Sequence, residues 1–148
     1  MIEIRESVIG DCYDLARNLR QEDKSEIEAM GLDPRAGIRL SFRNAILRKT
    51  YLVDGEIAAM TGLCGGLVSD IGYPYFITTS ACDKVPFRVA SIARRTVGDM
   101  LAHRKYLEGR VDANYTRAVR FLWLLGFELS EPEHFGSGLF RKFTMARE

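Results

Sequence analysis

A single α/β domain built on a mixed β-sheet is the fold class this sequence predicts, and three observations predict it. Segments with strand-like alternation and segments with helical spacing follow one another along the chain. Asp54-Gly55 sits between two apolar runs and is the strongest hairpin signal present. An amphipathic helix with Asn114 as its N-cap runs into Leu125-Gly126-Phe127, a glycine exit that leads to another strand. The expected domain spans residues 1–148, with a sheet of about six to seven strands flanked by about four helices.

Composition narrows the functional classes. The 148 residues suffice for one domain with a sizeable core, and 47% of them are apolar, which excludes a disordered chain. Lys and Arg number 21 against 20 Asp and Glu, so a general nucleic-acid binder is not expected. Met1-Ile2-Glu3-Ile4-Arg5-Glu6 lacks the basic-then-apolar layout of an export signal. No apolar run reaches the roughly 20 residues needed to span a bilayer. A cytoplasmic protein with no membrane partner is the expectation. Cys12, Cys64 and Cys82 are widely spaced and lie far from His103 and His134, so reduced thiols and no metal site are expected.

Ile2 to Arg5 alternates as a first strand. Ser7 or Asp11 then caps a helix whose positions Val8, Cys12, Leu15, Ala16 and Leu19 share one face. Asn18, Arg20, Gln21, Glu22 and Asp23 form its polar end. Ser25 to Met30 continues in helical style and Gly31 stops it. Asp33-Pro34 opens a second helix, with proline in the first turn where its missing donor costs nothing. Its greasy face is Ile38, Phe42, Ala45 and Ile46; its basic face is Arg35, Arg39, Arg43 and Arg48.

Thr50 to Leu67 reads as a hairpin turning at Asp54-Gly55. Gly62, Gly65 and Gly66 in its second strand mark a bulge or a close approach to the backbone. Ile71 to Thr79 is the central strand. A helix begins near Asp83 to Pro86, with Asp83 as cap and Val89, Ile92, Ala93, Thr96, Val97, Met100 and Leu101 as core stripe. Tyr106 to Asp112 is a strand. In the helix that follows, Ala118, Phe121, Leu122 and Leu125 recur at steps of three and four, while Arg117 and Arg120 fall on the other side. Phe127 to Ser130 is a strand, a loop carries Pro132, His134 and Gly136-Ser137-Gly138, and Leu139 to Met145 is the last strand.

Asn114, then Ala118, then a large apolar run closing in Leu125-Gly126-Phe127 resembles the last motif of the GNAT superfamily of N-acetyltransferases. The strand, Asp-Gly turn and strand of small apolar residues around Asp54-Gly55 is similar to the same superfamily. The element order matches that fold over nearly the whole chain. The resemblance implies acetyl-CoA as cofactor and acyl transfer to an amine, on a small molecule or a protein. It implies that Asn114 lies near the pantetheine arm and that Ile77, Thr78 and Thr79 of the central strand face the cofactor. The superfamily's phosphate loop carries glycines; the corresponding stretch here, Cys82 to Ala90, has none. Lys84 and Arg88 are its candidate phosphate-binding charges, and Asp83 opposes them. Many members place a tyrosine acid where this chain has Leu122. Tyr115, Glu131 and His134 are then the candidate catalytic groups.

Arg120 to Phe127, with Glu131-Pro132 and Gly136 to Phe143, also resembles a group of bacteriophage proteins of this fold, among them T7-like morphogenesis or internal virion proteins. That resemblance implies the alternative function, a catalytically silent assembly protein with virion partners. A homodimer is open under either reading.

Overall fold

The computed structural model describes residues 1–65 and 68–148. Gly66 and Leu67, read above as the end of the hairpin, lie outside the described residues. The elements run β1 (Ile2–Glu6), α1 (Ile9–Arg17), α2 (Gln21–Ala29), α3 (Pro34–Asn44), β2 (Ala45–Val53), β3 (Glu56–Cys64), β4 (Ile71–Thr78), a short 3-10 turn (Ser80–Lys84), α4 (Pro86–His103), β5 (Tyr106–Asp112), α5 (Thr116–Leu124), β6 (Glu128–Leu129), β7 (Glu133–Phe135) and β8 (Gly138–Ala146). The eight strands form one mixed sheet in the order β1-β2-β3-β4-β5-β8-β6, with β7 also on β8. Among the described residues every pairing is antiparallel except β4 with β5.

Three departures from the sequence expectation have local causes. The first helix is two helices. The chain is extended at Arg20 (ψ 145°), because Leu19 bridges to Thr79 and the Arg20 side chain is drawn to Thr78 and Asp83. The helix from Pro34 ends at Asn44, so Ala45, Ile46 and Arg48 belong to β2. Arg48 therefore leaves the basic helical stripe; it donates to the Phe42 carbonyl and lies over the Phe42 ring. Residues 133–135, read as loop, form β7 because β8 offers them an edge.

Asp54 (φ 51°) and Gly55 (φ 82°) both take the left-handed conformation that a tight two-residue hairpin demands. A Cβ on Gly62 would stand 2.5 Å from the Tyr75 hydroxyl and 2.6 Å from the Leu47 carbonyl, so this glycine marks a close approach, as expected. α5 ends as the sequence predicts: Gly126 has φ 100°, its N–H donates to Trp123, and the Phe127 N–H donates to Leu122.

Helices cover both faces of the sheet. Cys12, Leu15 and Ile38 of α1 and α3 pack on Met60 and Ile77. Ala93, Val97 and Met100 of α4 and Leu122 of α5 pack on Leu63, Leu107, Val111 and Phe143. A buried polar cluster ties β1 and β2 to α1. Arg5 grips the buried Asp11 carboxylate at 2.7 and 2.8 Å, and Thr50 and the Val8 N–H donate to the same group. Burial works to raise the Asp11 pKa, but Arg5 and these donors outweigh it and hold the carboxyl below its usual range.

Candidate active site

The parallel pair β4–β5 is zipped at one end only. Ile71 faces Tyr106 and Gly72 faces Leu107, and beyond these two pairs the strands part. The opening is a cleft of about 380 Å³. Its strand walls are Pro74 to Thr78 on one side and Arg110 and Val111 on the other; α2, α3 and the starts of α4 and α5 close it.

The pleat decides which backbone groups face the gap. The Thr79 N–H turns away to the Ala58 carbonyl of β3, at 2.9 Å. Amides of the opposite phase, those of Thr78 and Phe76, therefore turn toward the gap. Pro74 shares that phase and has no N–H to offer.

α2 sends two carboxylates to the neck of the opening. Asp23 and Glu26 lie three residues apart, on the face that also carries Ile27 and Met30, and all four line the cleft. Asp23 is buried; it accepts the Thr78 N–H from β4 and the Tyr115 hydroxyl at 3.3 Å. Glu26 accepts the Asp112 N–H of β5 at 2.8 Å. Each carboxylate thus rests on a different one of the parted strands. Burial pushes the Asp23 carboxyl up to about 6, against the pull of its donors and of Arg20. Burial likewise pushes Glu26 up to about 7, and the nearby Asp23 and Asp112 add to the rise.

At the mouth, Asp83 is held between two guanidiniums. Arg20 donates to it at 2.7 and 3.2 Å, and Arg117 donates at 2.8 Å. Arg20 also donates to the Thr78 hydroxyl at 2.9 Å. Arg20 above all, helped by Arg117, keeps the Asp83 carboxyl below its ordinary range although burial opposes them. Two arginines on one aspartate leave this corner with a net positive charge.

Of the residues singled out from the sequence, Ile77, Thr78 and Tyr115 line the cleft. Thr79 is buried and spends its hydroxyl on the Ile57 carbonyl and the Ala81 N–H. Lys84 lies 3.8 Å from Glu56 and Arg88 is exposed on α4; neither is among the residues that line the cleft. Asn114 is exposed and does not cap α5; Tyr115 occupies the N-cap position, and the Asn114 N–H donates to Asp112. Asp83 does not cap α4, whose N-cap is Val85. Glu131 and His134 are exposed, on and beside β7, and do not line the cleft.

Asp23, Glu26, Arg20 and Arg117 were not foreseen as site residues. One signal was present for the carboxylates. α2 has no continuous apolar stripe, and the face that carries Ile27 and Met30 also carries Asp23 and Glu26, so its inward side had to bury charge.

A mixed sheet opened at the parallel pair β4–β5, with helices on both faces, is the acyl-CoA N-acyltransferase fold of the GNAT acetyltransferases. No family model matches the chain, and neither does any curated protein. Solved structures match over nearly its whole length. The aminoglycoside acetyltransferase AAC(6')-Ib, solved in complex with coenzyme A, is similar at a TM-score of 0.71 and 12% identity, covering 99% of this chain and 95% of that one. A GNAT-family acetyltransferase from Streptococcus pneumoniae gives 0.68 and 12%, covering 99% and 100%. The GNAT domain of PAT from S. lividans gives 0.71 and 11%, covering 99% and 90%. At these identities the likeness is one of fold. The likenesses run over the whole chain and are to acetyltransferases; they lend no support to the bacteriophage resemblance of its last third.

Proposed function

We propose that the protein is an acetyl-CoA-dependent N-acetyltransferase. The observation that carries the reading is the single parallel strand pair, joined over two residues and then parted around a cleft. Two further features fit the cofactor. The first turn of α4 opens on the cleft; its N-cap Val85 makes no side-chain bond and Pro86 fills the first position, which leaves the amides of Phe87 and Arg88 for an anion. The arginine pair around Asp83 supplies positive charge beside it. Charge from side chains takes the place of the close backbone approach that a glycine-rich loop would allow. The residues that would hold the cofactor are therefore Phe87 and Arg88 by their amides, Arg20 and Arg117 by their guanidiniums, and Phe76 by its inward N–H.

Acetyl-CoA supplies the activated acetyl thioester. The protein's part is to orient the acceptor and to take its proton. Glu26 is the base this geometry offers: it lines the gap, and its pKa of about 7 lets it take a proton from an ammonium near neutral pH. Asp23 is the buried neighbour that shares the acceptor's charge. Tyr115 positions Asp23, since its hydroxyl donates there and burial raises its own pKa far above the range of a useful acid. The Phe76 N–H is the donor placed to polarise the thioester carbonyl.

Isothermal titration with acetyl-CoA and with desulfo-CoA tests the reading, and binding of both is expected. No heat with either ligand at millimolar concentration removes it.

A further inference from the structure

The half of the cleft walled by α2 and α3 differs in character from the half at the α4 and α5 termini. Its lining is Ile27, Met30, Leu32, Gly37, Ser41 and Tyr75. The arginines that line the cleft are turned to partners outside this half. Arg20 and Arg117 are on Asp83, and Arg110 stacks on the Phe135 ring at 4.2 Å. At the neck between the halves stand Asp23 and Glu26, fixed by main-chain donors from opposite strands. The charged groups acting on Glu26 are Asp23 and Asp112, both acidic, while Arg20 acts on Asp23, so Glu26 is the carboxylate of this neck with no cationic partner among the described residues.

We propose that the acceptor is a compact primary amine with one positive charge on an apolar body, its ammonium seated between Asp23 and Glu26 and its body in the α2–α3 half of the cleft. The proposal rests on the acyltransferase reading of the same cleft and narrows it. Three arguments carry it. An ammonium has three donors, and two carboxylates at the neck can accept them. An apolar body meets Ile27, Met30, Leu32 and the Tyr75 ring, whereas a second ammonium would be desolvated there with no carboxylate in that half's lining to pair with. The whole cleft, about 380 Å³, lies at the small end of ligand sites, and the cofactor's arm must share it.

The lobe is also braced. The β7–β8 turn is bonded to the end of α2: the Ser137 N–H and hydroxyl both donate to the Ala29 carbonyl, at 3.0 and 3.2 Å. That contact fixes the end of α2 at Ala29, next to Met30 of the lobe's lining.

Calorimetric titration of the free protein with 2-phenylethylamine, 2-phenylethanol, spermidine and kanamycin tests the assignment, with desulfo-CoA titrated separately. Binding of 2-phenylethylamine is expected to be about tenfold or more tighter than that of the other three. Glu26→Gln should weaken 2-phenylethylamine about tenfold or more while leaving desulfo-CoA unchanged. Ser41→Phe, which fills the lobe, should do the same by a different route. Spermidine or kanamycin binding as tightly as 2-phenylethylamine would overturn the proposal, as would equal binding of the amine and the alcohol. Amine binding without desulfo-CoA binding supports the acceptor site and removes the transferase reading; the reverse result removes the acceptor site alone.

Discussion

Replacing Glu26 by glutamine should make the protein more stable at alkaline pH while removing the proposed base. The unfolded chain gives up the Glu26 proton near the ordinary value of 4.5, and the folded protein gives it up near 7. Between these values the folded state binds more protons than the unfolded state. Stability from this group therefore falls as pH rises through the window, and the full cost is present above pH 7. At about 1.4 kcal/mol per pH unit, the separation is worth about 3 kcal/mol. Coupling to Asp23 and partial access of water to the side chain reduce the expected gain to about 1–2 kcal/mol. Glutamine keeps a carbonyl oxygen for the Asp112 N–H, so the backbone contact survives. Urea unfolding of both proteins at pH 5 and pH 8.5 measures the effect. The variant's advantage should be larger at pH 8.5 by about 1–2 kcal/mol, and acetyl transfer should drop by about a hundredfold or more. Parallel stability curves across this range, or a variant that loses stability at pH 8.5 relative to wild type, would refute the reasoning.

Other substitutions separate the roles of the remaining groups. Arg117→Ala should weaken desulfo-CoA binding about tenfold and flatten its salt dependence, both read by calorimetry at two ionic strengths. Tyr115→Phe removes a donor to Asp23; it should cost about 1 kcal/mol in urea unfolding and raise the Asp23 pKa further in a carboxyl NMR titration. Asp11→Asn should cost about 2–3 kcal/mol at pH 7, because Asp11 is depressed by Arg5 and its donors. That contribution is present above the unfolded value of 3.8 and is lost as pH falls through the lower folded one, so the wild-type advantage should vanish in strong acid. Gly62→Ala places a methyl against the Tyr75 hydroxyl and the Leu47 carbonyl and should cost about 1–3 kcal/mol, visible as a lowered Tm.

The parts of the fold legible from the sequence are those set by short-range chemistry. Asp54-Gly55 needs left-handed residues at both turn positions, and Gly126 and Phe127 close α5 through bonds to residues three and five positions earlier, respectively. Tyr106 to Asp112 is bounded in the structure as its alternation predicts. What the sequence hid depends on distant partners. The break between α1 and α2 exists because Arg20 finds Thr78 and Asp83, which are 58 and 63 positions away. β7 exists because β8 pairs with it. The site was harder still: Asp23 and Glu26 look like surface charges until Thr78 and Asp112 are brought beneath them, the latter 86 positions from Glu26. Lys84, Asn114, Glu131 and His134 are candidates by local position or analogy, and the tertiary structure puts them outside the cleft lining; Arg88 does not line it either, but sits in the first turn of α4, which opens on the cleft.

The placement of β8 bears on how the molecule is made. This strand, which follows the other seven in the chain, lies between β5 and β6 and so completes the interior of the sheet instead of extending its rim. Until it docks, β5 has an unsatisfied edge, the Phe143 side of the core is missing, and the turn that bolts down α2 does not exist. Folding must therefore finish after synthesis of this segment. A nascent chain stalled before residue 138 should present a naked strand edge to chaperones, with the cleft not yet fully walled.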